Sequence, residues 1–209
     1  MLSRLDADIP DALVYWQVSR GTALRSHVFP DPAVPPNLLI TVRQKIMPAP
    51  DDRVKLITTP DLRFALCHIK TINLLPNVLA HQQAEAAGCD EAVLHRDGVV
   101  TECSSSALLL LKDGALRVRP LDDYILPSTT RKHIMETCRE LDIPIVEAAF
   151  TLEEMMDADE ILLSCTTTLF RGVDAIDGIP VGGKDPELFE RIYGAYRRRL
   201  LTECPASDE

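Results

Sequence analysis

Three kinds of side chain in this sequence could do chemistry together: an amine, a carboxylate and clusters of hydroxyls. The amine is Lys70, which follows the apolar run "FALCHI" and precedes "TINLLPNVLA". A lysine in such a setting is costly to bury as a free ammonium unless something pairs with it, or unless its amine is engaged covalently by a carbonyl compound. The carboxylate is Glu102 in "DGVVTECSSSALLL", with Ser104, Ser105 and Ser106 just beyond it. The other hydroxyls are Ser128, Thr129 and Thr130 in "YILPSTTR", and Thr166, Thr167 and Thr168 in "LLSCTTTLF". A hydroxyl cluster at a helix N-terminus suits a phosphate, because backbone N–H groups and the positive dipole end face the anion.

The elements that must position these groups follow from periodicity and turn residues. "LVYWQVS", "LLITVR" and "VKLITT" have strand character. Between the first two, Pro30, Pro32, Pro35 and Pro36 exclude a helix. "FALCHI" is strand-like as well, which places Lys70 at a strand-to-helix junction. The helix is expected from about Asn73, with Leu74, Leu75, Val78 and Leu79 at helical spacing and Gly88 as its stop. Asp97-Gly98 and Asp113-Gly114 each sit between strand-like arms, which predicts two hairpins. "TTRKHIMETCREL" predicts a helix beginning near Arg131, directly after the hydroxyl cluster. "ADEILLSCTTT" predicts a strand ending in hydroxyls, and "DPELFERIYGAYRRRLL" a last helix capped by Asp185. Strands with interspersed helices and hairpins imply an α+β fold with a mixed sheet, read here as one domain over 1–209. A reactive lysine, a carboxylate and a phosphate cradle on such a frame are what pyridoxal phosphate requires: a Schiff-base amine, a partner for the pyridine nitrogen, and an anchor for the other end.

Composition narrows the alternatives. The chain has 209 residues, 46% hydrophobic, with a formal net charge of −10, enough apolar content for a core. That acidic balance argues against a general nucleic-acid binder, which needs clustered cations. The longest apolar run, "ALLLL" at 107–111, is far too short to span a bilayer, and the start lacks the pattern of a secretory signal. Cys67, Cys89, Cys103, Cys138, Cys165 and Cys204 are scattered, without C-x-x-C or zinc spacing. Neither a disulfide framework nor a metal site is expected, and a reducing cytoplasm is the expected location.

Five segments, "VYWQVSRGTALRSHVFP", "IKTINLLPNVLAHQQA", "EAVLHRDGVVTECSSS", "ILPSTTR" and "ADEILLSCTTT", resemble the fold-type IV (class IV) pyridoxal-phosphate enzymes, and within them the D-amino-acid aminotransferases. They occur in the family's order, and the interval from Lys70 to Glu102 (102 − 70 = 32) fits it. The resemblance implies the family's large mixed-sheet domain and transfer of an amino group between an amino acid, such as D-alanine, and a 2-oxo acid. It makes Lys70 the Schiff-base and proton-transfer lysine, and Glu102 the partner of the pyridine nitrogen. It assigns Thr129, Thr130, Thr166 and Cys165 to the phosphate cradle, and Leu126 to the apolar wedge against the ring. Arg25 and His27 in "RSHVF" match the R-x-H pair that binds the substrate carboxylate from the partner subunit, which implies a homodimer. Arg63 matches an arginine near the family's lysine.

Taken singly, each of these residues has a plainer reading: Lys70 a snorkelling surface lysine, Glu102 a solvated strand end, the hydroxyls caps and loops, Arg25 and His27 loop residues. The constellation carries the assignment. The sequence also departs from the family pattern. Cys103 and Ser128 stand where glycines are usual, and Ala107 where an asparagine is usual. Relatives carry a further small domain upstream, which supplies an arginine to the phosphate and a tyrosine to the pocket; neither has a counterpart here. A shortened, catalytically silent dimerising or cofactor-binding protein is therefore one alternative. Aminodeoxychorismate lyase or a branched-chain aminotransferase is the other, and "RSHVFP" speaks against both of these.

Overall fold

The structure is a computed structural model and describes residues 12–44 and 52–203. Its contacts divide the chain into two compact units, Met1–Pro48 and Ala49–Glu209. The described part of the first is an antiparallel pair, β1 (Ala12–Ser19) and β2 (Asn37–Gln44), in register from Ala12 against Gln44 to Ser19 against Asn37. The proline-rich connection between them holds no helix, as the four prolines require.

The second unit is built on one mixed sheet. Its elements in order are β3 (Val54–Pro60), α1 (Leu75–Ala86), β4 (Glu91–Arg96), β5 (Val99–Cys103), β6 (Ala107–Lys112) and β7 (Ala115–Val118). They are followed by α2 (Thr129–Glu140), β8 (Ile145–Glu147), α3 (Leu152–Met156), β9 (Glu160–Cys165), β10 (Leu169–Ile176), β11 (Ile179–Pro180) and α4 (Pro186–Glu203). The strand order is β5-β4-β3-β10-β9-β6-β7-β8, with β11 paired to β10. β3 runs parallel to β4 and to β10, and β7 parallel to β8; the remaining pairs are antiparallel.

The run "ALLLLK" has no polar alternation because both faces of β6 are buried. Leu108 and Leu110 join one core with Ile161 and Leu163 of β9, while Leu109 and Leu111 join another with Leu162. Since side chains alternate along a strand, the central strands serve both cores at once. On one face α3 contributes Met155; on the other α2 and α4 contribute Ile134, Phe189, Ile192 and Tyr193. Three Asp-Gly turns with positive φ at both residues (Asp97 49° and Gly98 80°; Asp113 51° and Gly114 74°; Asp177 51° and Gly178 76°) connect the hairpins. That backbone matches the twist of paired strands. α4 is capped as expected, with Leu188 N–H donating to Asp185 Oδ1 at 3.1 Å.

Two expectations are corrected. "FALCHI" is not a strand: β3 ends at Pro60, and residues 61–74 form an irregular connection with Leu66 at φ 91°. Its backbone pairs out of the sheet, Leu66 and Cys67 N–H both donating to the Asp123 carbonyl at 3.1 and 2.8 Å. Second, α2 begins at Thr129 rather than near Arg131, because Ser128 is the N-cap and accepts from Arg131 N–H at 3.2 Å. Helix α1 starts close to where its spacing places it, but it turns Ala80 and Ala84 to the sheet and leaves Leu75, Val78 and Leu79 exposed.

Candidate functional site

Glu102 lies on β5, an arm of the first Asp-Gly hairpin, and is 7% exposed. Arg63 makes that burial tolerable. Its Nη1 donates to Glu102 Oε1, its Nε and Nη2 grip Asp61 Oδ1 and Oδ2 at 2.9 and 2.8 Å, and Nη2 also reaches the Tyr124 carbonyl at 2.9 Å. Asp61 further accepts from the Thr101 hydroxyl at 3.0 Å and pairs with Arg96 at 3.3 Å. The second oxygen of Glu102 accepts from Leu126 N–H at 3.0 Å. Burial pushes both carboxyls up. For Asp61 the hydrogen bonds and charge of Arg63 outweigh it and hold the group below the ordinary range. For Glu102 burial prevails over Arg63 and Leu126, and the carboxyl sits above that range.

Glu102 and Leu126 border a small recess with Thr101, Ala107, Leu108, Ile125 and the cations Arg119 and Arg131. A carboxylate offers about four lone-pair sites. Glu102 commits one bond on each oxygen to Arg63 and Leu126, so acceptor capacity remains. A protonated heteroaromatic nitrogen fits such a carboxylate, and the two anchoring bonds fix where it points.

Leu126 is followed at once by the N-terminus of α2. Thr129 and Thr130 occupy its first turn, where no preceding carbonyl of the helix can take their N–H groups. Thr166, Thr167 and Thr168 form the turn between β9 and β10, not the end of the strand. Thr166 is exposed, whereas the Thr167 and Thr168 hydroxyls lie 3.3 and 3.1 Å from Cys165 Sγ. Burial raises the Cys165 thiol, but these hydroxyl contacts outweigh it and bring it below its ordinary value.

Lys70 is exposed, in the connection that leads into α1. Around it Leu62, Phe64, Leu66, Ile69 and Ile72 are also exposed. Arg25 and His27 belong to the first unit, exposed in the connection between β1 and β2. The structure thus brings Glu102, Leu126 and the head of α2 together within the second unit, and sets Arg25 and His27 in the other.

Two groups at this site escape sequence reading. Asp61, which orients Arg63 under Glu102, has only a charged pair at i, i+2 as a signal. Glu91 opens β4 and is 4% exposed, yet it gathers the three serines: Ser104 Oγ, Ser105 Oγ and Ser105 N–H donate to Oε1, and Ser106 Oγ donates to Oε2 at 2.8 Å. An acidic residue ahead of "AVL" gives no hint that the serines face it. Among the described residues no group of His, Cys, Asp and Glu could hold a metal ion, and no helix is long and apolar enough to cross a membrane.

A family model for amino-transferase class IV matches residues 2–176. The D-alanine aminotransferase of Staphylococcus haemolyticus is 38% identical over 177 residues, covering 84% of this chain and 63% of that protein. The D-alanine aminotransferase of Listeria monocytogenes serotype 4b is 36% identical over 197 residues, covering 91% and 68%. The chain therefore spans about two thirds of the length of these curated relatives. Among solved structures, the branched-chain amino acid aminotransferase of Escherichia coli superposes with a TM-score of 0.77 at 24% identity, over 90% of this chain and 65% of that one. An aminotransferase from Brucella abortus bound to the co-factor PLP gives 0.82 at 18% identity, over 95% and 71%. At these identities the structural matches speak to the fold, which is the same mixed α+β sheet.

Proposed function

Because this chain belongs to the amino-transferase class IV family, the fold-type IV pyridoxal-phosphate aminotransferases, we propose that it binds pyridoxal phosphate and transfers an amino group between a D-amino acid and a 2-oxo acid. When bound, that cofactor supplies the electron sink that makes a carbon–hydrogen bond next to an amino group labile. Lys70 Nζ would hold the cofactor covalently and, as a free amine once displaced, would take up the proton from one carbon and return it to the other. Glu102 keeps a proton on the ring nitrogen, and Arg63 and Leu126 N–H keep its carboxylate aimed. Leu126 gives the ring an apolar wall. The N–H groups of Thr129 and Thr130, at the positive end of α2, hold the phosphate with Thr166 and Cys165.

Arg25 and His27 bind the α-carboxylate of the substrate, in a homodimer where each copy completes the other's site. Two observations support a dimer: Leu75, Val78 and Leu79 stand in water on α1, and so do Ile69 and Ile72 before it. Exposed apolar side chains gathered in one segment of the chain are a mark of association. The five cysteines of the described residues are free thiols, which favours the reducing cytoplasm.

One observation carries the reading: Glu102 is buried, both its oxygens are anchored, and it still borders a recess beside Leu126. The test is to titrate the purified protein with pyridoxal phosphate, follow the absorbance of bound cofactor, and then supply D-alanine with a 2-oxo acid. A saturable new band and appearance of pyruvate are expected. No band at saturating cofactor would overturn the proposal; a band with transfer from L-amino acids alone would overturn the choice of the D series.

A further inference from the structure

Glu91 belongs to no part of the chemistry proposed above, yet it is among the most heavily bonded carboxylates in the molecule. Four donors converge on it, and all four come from the serine segment that joins β5 to β6. That segment begins two residues after Glu102. A hydroxyl has a single proton to give. Ser104, Ser105 and Ser106 each spend theirs on Glu91, so the serines are spoken for and do not serve as free donors to a phosphate.

One of these serines, Ser104, is also gripped by α1. Asn77 Nδ2 donates to the Ser104 carbonyl at 2.8 Å, and His81 Nδ1 lies 3.1 Å from Ser104 Oγ. Since Ser104 gives its proton to Glu91, the count assigns the His81 proton to Nδ1, and the chain runs His81 to Ser104 to Glu91. The backbone closes the clasp: Ser104 N–H donates to the Ala92 carbonyl at 2.9 Å, and Cys103 N–H to the Ser106 carbonyl at 2.9 Å. Helix α1 is the element that the Lys70 connection runs into, and β5 carries Glu102. Glu91 is thus bonded to the loop leaving one of the two groups, which is in turn bonded to the helix following the other.

We infer that Glu91 is a positioning residue whose carboxylate, through Ser104, sets the spacing between the Lys70 segment and Glu102. The inference rests on the assignment of Lys70 and Glu102 to the two ends of one cofactor. In the absence of the Glu91 carboxylate, Ser104, Ser105 and Ser106 lose their common acceptor. The serine loop then keeps its bonds to Asn77 and His81 but loses its side-chain anchor on β4, so loop and α1 shift together against the sheet.

The variants to compare are Glu91→Gln, Glu91→Ala and Ser104→Ala in the full chain. Gln keeps the size of the side chain and an acceptor for Ser104 and Ser105, losing only the one for Ser106. Ser104→Ala removes the hydroxyl that joins His81 to Glu91 and leaves the buried carboxylate its other donors. Hydrogen–deuterium exchange is measured without cofactor, and the dissociation constant for pyridoxal phosphate by absorbance. A bond to a charged acceptor is worth enough to change an equilibrium by about tenfold or more. Glu91→Ala should speed exchange by about that factor in peptides covering 103–106 and 70–77 together, leave α4 and β9 unchanged, and raise the dissociation constant similarly. Ser104→Ala should loosen the same two peptides, and Glu91→Gln should change either readout by less than about threefold. If Glu91→Ala is too unstable to study, Ser104→Ala decides alone. Loosening of 103–106 without 70–77, uniform loosening of the whole sheet, or an unchanged dissociation constant would each overturn the inference. If the unsubstituted chain takes up no cofactor, the functional reading is what fails, and the exchange of the two peptides still judges the clasp.

Discussion

The two residues proposed to meet the cofactor differ sharply in how the chain supports them. Glu102 is 7% exposed, with a partner on each oxygen and, behind Arg63, a second carboxylate that fixes the guanidinium. Lys70 is exposed in an irregular connection among exposed apolar side chains. The acceptor end is finished by this chain's own contacts, and its geometry is part of the fold's stability. The amine end draws nothing from the core. Substitutions at the first should therefore act through folding, and at the second through chemistry.

The largest effect on stability is expected from Arg63→Ala. It leaves Glu102 buried without its cation and Asp61 with only the longer pair to Arg96, and breaking such a buried pair costs about 3–5 kcal/mol. Urea unfolding at neutral pH measures it; a loss within about 1 kcal/mol would break the contrast. Asp61→Asn should come next, with a distinctive pH dependence. The folded carboxyl is held below its ordinary value of 3.8, so its contribution is fully present above that pH and is lost as pH falls through the lower folded value. The wild-type advantage over Asp61→Asn should thus be constant at neutral pH and shrink below 3.8. An advantage that grew in acid would contradict the pairing.

Arg25→Ala belongs to the functional side. A charged hydrogen-bonded pair is worth about 1.5–3 kcal/mol, so the KM for D-amino acids should rise about tenfold or more. Cofactor binding and melting temperature should not move, and unchanged kinetics would remove Arg25 and His27 from the substrate site. The smallest stability effect is expected at Lys70 itself. Lys70→Ala should alter unfolding by no more than about 0.5 kcal/mol, as exposed positions do, while abolishing covalent retention of cofactor.

The same contrast explains what the sequence disclosed. The hairpins at Asp97-Gly98 and Asp113-Gly114 were legible because two residues with positive φ suffice to define the turn, whereas the one at Asp177-Gly178 was not read. Glu102 was singled out by its interval to Lys70, and the run "PSTTR" marked the head of a helix, although that helix starts two residues earlier than Arg131, with Ser128 as its cap. "FALCHI" misled because its apolar residues face water instead of alternating across a sheet, and no local rule distinguishes exposed from buried apolar runs. The stripe Leu75, Val78 and Leu79 marked the helix but not its buried face, since the small residues Ala80 and Ala84 face the sheet. Asp61 and Glu91 stayed hidden because their roles depend on partners that only the tertiary fold delivers: Arg63 turned under Glu102, and three serines turned back on the head of a neighbouring strand.

Covalent capture at Lys70 tests the account most directly. The protein is saturated with pyridoxal phosphate, reduced with borohydride, digested and mapped by mass. The account predicts the pyridoxyl mass on the peptide containing Lys70, and its loss in Lys70→Ala, whose fold is intact. Stable label on another lysine, or none on any lysine at saturating cofactor, would contradict it.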